Sequence, residues 1–87
     1  MRQDIANYII DHVEKSEGCK SHHLLAQISV VFINSTRDEI NEALYQVIRR
    51  KDIFEIEYVI KGVSRSFLLP RYTQRIDMES LLVMLDA

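Results

Sequence analysis

The 87 residues contain one cysteine, one proline, two glycines and no tryptophan. A lone Cys19 leaves no partner for an internal disulfide, so the chain is expected to rely on its core in a reducing compartment. So little Pro and Gly excludes a loop-rich or collagen-like chain, and 47% apolar with 28% charged residues excludes disorder. No long hydrophobic run exists either. The charge-free stretch between Lys20 and Arg37 carries His22, His23, Gln27, Ser29 and Asn34, too polar to span a bilayer. Asp4, Asp11 and Glu14 break the first segment where a secretory signal would need an uninterrupted apolar core. The expectation is one small cytoplasmic domain.

Chemical motifs are equally sparse. The sequence has no glycine-rich phosphate loop, no nucleophile elbow and no HExxH, so no enzymatic activity is expected. Cys19, His22 and His23 lie close in sequence, but only His12 remains as a further imidazole and there is no second thiol. A tetrahedral zinc site needs about four ligands, so neither a metal nor a cofactor is expected.

The helical signals are clear. Ile5, Tyr8, Ile9, His12 and Val13 recur at helical spacing and predict a first helix over roughly residues 2–17, stopped at Gly18. Ser21 is a candidate N-cap for a short second helix carrying Leu24, Leu25 and Ile28. The apolar stretch 28–33 reads equally as a helix end or a bit of strand. Thr36 and Glu39 have capping-box spacing ahead of Ile40, Ala43, Leu44, Val47 and Ile48, the stripe of an amphipathic third helix. Arg49, Arg50 and Lys51 then crowd its last turn, where cations complement the helix dipole.

After Lys51 the period changes. Phe54, Ile56, Tyr58 and Ile60 alternate with other residues and predict a strand whose core-facing side they form. Lys61-Gly62 predicts a tight turn, and a second strand follows through Phe67 and Leu69 to Pro70. Asp77 to Leu85 is apolar enough for a short capped helix.

Net charge is −2, but seven of the eleven basic residues lie between positions 49 and 75, and no acid falls between Tyr58 and Arg75. A local basic patch suits phosphate contact. Against it stand Asp38 and Glu42, one turn apart on the exposed side of the third helix.

The sequence Leu24 to Ile28, then Ser35-Thr36 with the stripe from Ile40 to Ile48, then Arg50-Lys51-Asp52-Ile53 opening a hairpin, resembles the winged helix-turn-helix superfamily. The resemblance covers about three quarters of the chain and assigns no subfamily. It implies an α+β fold: a three-helix core with a β-hairpin wing over residues 1–76, followed by a short helical tail, 77–87, as a dimerisation element. It implies a DNA-binding transcriptional regulator, whose third helix meets the major groove and whose wing tip spans Lys61 to Ser66. Double-stranded DNA would then be held by Ser35, Thr36, Arg37, Asn41, Tyr45, Arg49, Lys61, Arg65 and Arg71. A homodimer is expected through Met78, Leu81, Leu82 and Leu85 of the tail, received by Tyr8 and Ile9 of the first helix. The alternative is a winged-helix protein-interaction module that binds a protein partner through Asp38 and Glu42.

Overall fold

The computed structural model describes residues 2–72 and Val83. The chain runs α1 (Gln3–Ser16), β1 (Cys19–Lys20), α2 (Ser21–Val31), α3 (Arg37–Arg49), β2 (Ile53–Ile60) and β3 (Val63–Pro70). The fold is α+β, three helices and an antiparallel three-stranded sheet in the order β1-β3-β2.

α1 buries Ile5, Ala6, Ile9 and Val13, a stripe at helical spacing, with Asp4 in the first turn where a negative charge favours the dipole. Its end differs from the glycine stop expected at Gly18. Glu17 takes the left-handed conformation (φ 58°), its amide bonding to Glu14 O at 3.2 Å while Gly18 N bonds to Val13 O at 3.1 Å. Those two bonds satisfy the last carbonyls of α1 in a Schellman closure. Gly18 serves packing instead. A Cβ there would meet Phe67 Cε1 at 2.8 Å, so the missing side chain lets the ring close on the backbone. Its φ of +122° also favours glycine.

α2 begins one residue earlier than a Ser21 cap implies, with Ser21 as its first residue and Lys20 as the cap position. The Ser21 hydroxyl contacts Ser66 on β3 instead of a helix amide. The ambiguous stretch 28–33 resolves as helix to Val31 followed by a turn, so five residues join α2 to α3. α3 starts as the sequence dictates. Glu39 N donates to Thr36 Oγ1 at 3.1 Å and Thr36 N donates to Glu39 Oε1 at 2.9 Å, the reciprocal capping box. Ile40, Ala43 and Val47 face the core. The helix ends in the same closure as α1, with Lys51 left-handed (φ 62°), Lys51 N bonded to Ile48 O and Asp52 N to Val47 O, each at 3.0 Å.

The hairpin register is continuous from Ile53↔Pro70 to Ile60↔Val63. Lys61 (φ 51°) and Gly62 (φ 76°) both take positive φ, as a type I′ turn requires. Which face of β2 meets the helices is the reverse of the expectation. Ile53 and Leu68, which share a face two register steps apart, are fully buried in one cluster with Ile5, Ile9, Val13, Leu24 and Val47. Phe54, Ile56, Tyr58 and Ile60 therefore lie on the opposite side, and Phe54 is 40% exposed. Alternation identifies two faces but not which is inner. Beyond Ile53 the hairpin outruns the helices, so Glu55 and Glu57 on the inner side remain exposed. Leu68 joins strand to helices, and shortening it to Ala is expected to cost about 2–5 kcal/mol.

β1 gives no periodic signal in the sequence. Its two residues, Cys19 and Lys20, pair with Leu68 and Phe67 and tie the α1–α2 connection to the sheet. Among the described residues no helix is long and apolar enough to cross a membrane.

Candidate nucleic-acid interface

α3 exposes one consistent row. Arg37, Asn41, Tyr45 and Arg49 recur every fourth residue, and all four are exposed, Tyr45 at 59%. Residues four apart are neighbours on a helix but drift by about 40° per step, so the four form a slanting ridge roughly 18 Å long with a guanidinium at each end and an amide and phenol between. The buried stripe opposite holds it outward. Asp38 and Glu42 form the neighbouring row, also exposed, and place two carboxylates beside the cations.

Ser35 and Thr36, expected to touch DNA, already have structural partners. Arg2 reaches from the head of α1 and donates through Nη1 to Ser35 Oγ at 2.9 Å and to Glu39 Oε2 at 3.3 Å, while holding Asp4 at 2.7 Å. Thr36 Oγ1 is occupied in the capping box. The Arg2 guanidinium keeps the Asp4 carboxyl below its ordinary value, and the Thr36 amide, followed by Arg2, does the same for Glu39. The head of α3 is thus pinned to α1 by a charge network that sequence spacing alone, with Arg2 and Glu39 37 residues apart, does not signal.

On the hairpin, Lys61 sits exposed in the turn and Arg65 lies exposed directly across from Tyr58. Arg65 therefore shares the side of Phe54, Ile56 and Tyr58. Arg71 follows Pro70 at the other end of the eight-residue strands, roughly 26 Å from the turn at about 3.3 Å per residue. Arg71 and Lys61 accordingly do not form one cluster.

Between the start of α2 and the hairpin runs a groove of about 570 Å³, lined by Ser21, His22, Glu55, Glu57, Arg65 and Ser66 among others. Partial desolvation, then the charges of His23, Arg65 and Lys20, hold the His22 pKa below its ordinary value. His22 and His23 contact each other edge-on at 4.3 Å between ring centroids. Their place beside the hairpin was not legible, because β1 brings α2 to β3 through only two residues. No group of three or more His, Cys, Asp or Glu side chains suited to a metal exists among the described residues. Burial pushes the Cys19 thiol up despite a hydrogen bond with Ser16.

Of the residues expected to form a dimer contact, Met78, Leu81, Leu82 and Leu85 lie outside the described residues, as does the expected helix from Asp77 to Leu85. On α1, Ile9 is fully buried in the core, and Tyr8 is half-buried with its ring edge-on to Phe32 at 5.5 Å. Ile9 has no surface left to receive a partner.

Comparison with protein-family models, with characterised proteins and with solved structures finds no match to this chain.

Proposed function

We propose that the chain is a winged-helix domain that binds double-stranded DNA and acts in transcriptional regulation. The observation that carries this reading is the exposed row Arg37–Asn41–Tyr45–Arg49 on a helix that leads directly into a hairpin tipped by Lys61. Three helices followed by a hairpin, within an antiparallel three-stranded sheet, support this reading. In this reading α3 enters the major groove. Arg37 and Arg49 anchor its two ends on phosphates or guanine edges, and Asn41 is placed to pair with an adenine. Lys61 and Arg65 would touch the backbone from the hairpin. Ser35 and Thr36 support α3 instead of reading bases, since their hydroxyls are engaged within the protein.

The test is fluorescence anisotropy of random-sequence duplex across a salt series. Each neutralised phosphate contributes about −0.9 to the slope of log affinity against log salt, so Arg37, Arg49, Lys61 and Arg65 imply a slope of roughly −3 to −4. Absence of salt-sensitive binding near 50 mM salt, where phosphate contacts are strongest, overturns the proposal.

A second reading has its own observation. Asp38 and Glu42 run beside the cationic row, and Val30 (76% exposed), Val31 (55%) and Ile33 (79%) stand out of α2 and the turn after it. The acidic pair suits a basic protein partner, with Asp38 and Glu42 as the first contacts, and the exposed valines and Ile33 offer apolar area elsewhere on the domain.

A further inference from the structure

The sheet has a second face, turned away from the helices. The hairpin register puts Phe54, Ile56, Tyr58 and Ile60 of β2 on it beside Phe67 and Leu69 of β3. Their exposure is graded. Phe67 (4%) and Leu69 (3%) are buried although neither belongs to the cluster beneath the helices, Ile56 and Tyr58 are half-buried, and Phe54 and Ile60 remain 40% and 41% exposed. A continuous apolar face of this size on a small domain is normally covered.

We infer that this outer face is the seat of the chain's own residues 77–85, laid across Phe54, Ile56 and Tyr58 as a third layer. Four observations point to that occupant. First, the chain leaves the sheet from the end of its central strand. β3 ends at Pro70, Arg71 and Tyr72 turn at once, and the Tyr72 hydroxyl donates to Glu14 O at 3.1 Å, close to the Gly18 backbone on which Phe67 packs.

Second, the length fits. Residues 73–76 reach at most about 13 Å when extended, and nine residues in a helix cover about 13 Å, against a strand of eight residues near 26 Å. The segment reaches the stretch from Phe54 to Tyr58 but not the Lys61-Gly62 turn, so Ile60 stays outside the seat. Third, Met78, Leu81, Leu82 and Leu85 recur at i, i+3, i+4 and i+7. Val83 falls on the far side of that stripe, and Val83 is 70% exposed.

Fourth, the charges complement. Lys20 and Arg65 pair in register with Phe67 and Tyr58 and so lie on the outer side, while residues 73–87 carry Asp77, Glu79 and Asp86 against the single Arg75. The seat differs from the surface expected on α1, where Ile9 is closed off. It does not depend on DNA binding.

The test uses the full chain with labelled methyl groups and measures nuclear Overhauser contacts from Leu81, Leu82 and Leu85 to the rings of Phe54 and Tyr58. Expected are strong contacts within one chain and none in a filtered experiment on a 1:1 mixture of labelled and unlabelled protein. Absence of these contacts overturns the inference. Contacts seen only between chains also overturn it, by making a second copy the occupant. A Leu82→Asp variant provides the independent reading. The Phe54 and Tyr58 ring signals should shift toward solvent-exposed positions while those of Ile9 and Val47 in the helical core stay unchanged. Unmoved ring signals overturn the inference.

Discussion

Thr36 and Glu39 hold each other at both ends of one helical turn, amide to hydroxyl at 3.1 Å and amide to carboxylate at 2.9 Å. Thr36→Ala removes one of these bonds and leaves an N-terminal amide of α3 without its acceptor. The expected loss is about 1 kcal/mol, within a range of about 0.5–2. For a domain of this size that lowers Tm by roughly 4–8 °C, readable by thermal circular dichroism.

The same pair sets an acid limit. The Glu39 and Asp4 carboxyls are held below their ordinary values of 4.5 and 3.8 by hydrogen bonds from Thr36 and Arg2. A depressed carboxyl contributes stability that is complete above its unfolded pKa and lost as pH falls through its folded pKa. Urea midpoints are therefore expected to hold steady above about pH 5 and to fall below about pH 4.5. Glu39→Gln should lower the plateau and flatten the decline; an unchanged decline would assign it to other carboxyls.

Two helix ends carry a side chain where glycine fits better. Glu17 and Lys51 both take positive φ, a conformation in which a Cβ crowds the following carbonyl. Glu17→Gly and Lys51→Gly are each expected to stabilise the fold, by about 0.5–1 kcal/mol after the added freedom of the unfolded chain is subtracted. Gly18→Ala has the opposite sign, because its Cβ would enter the Phe67 ring. A denaturant melt that ranks the three otherwise would refute this account of the α1 end.

Lys61 separates stability from binding. Asn-Gly is the preferred pair for a type I′ turn, so Lys61→Asn should strengthen the hairpin while removing its leading cation. Midpoint up and DNA affinity down, with the salt slope reduced by about one unit, is the expected combination. Loss of both properties would mean that Lys61 acts only through folding.

Asp38→Asn together with Glu42→Gln keeps the shape of the α3 surface and removes two negative charges beside the cationic row. Non-specific duplex affinity should rise. A fall, accompanied by loss of a protein partner, would favour the interaction reading.

The sequence made α3 legible because its cap, its stripe and its terminal cations all act within a few residues of one another. The hairpin turn was legible for the same reason. What escaped depends on distant partners. Phe54 and Ile53 are adjacent and both apolar, and only the position of Leu68 against α1 and α2 decides which of them is inner. β1 is two residues long, below any periodic signal, yet it places His22 beside Arg65. Ser35 looked free to meet a ligand because nothing local reveals Arg2. Arg37, Asn41, Tyr45 and Arg49 each suit DNA contact by residue type, and their spacing of four was legible as soon as α3 was.

Three residues, Arg50 to Asp52, separate α3 from β2, and the amides of Lys51 and Asp52 are bonded back into the last turn of the helix. The joint therefore has no slack, and helix and hairpin swing as one lever. Under the proposed function, a duplex gripped at both places has to bend or twist to match the protein. Base steps that deform easily would then be favoured at positions no side chain reaches.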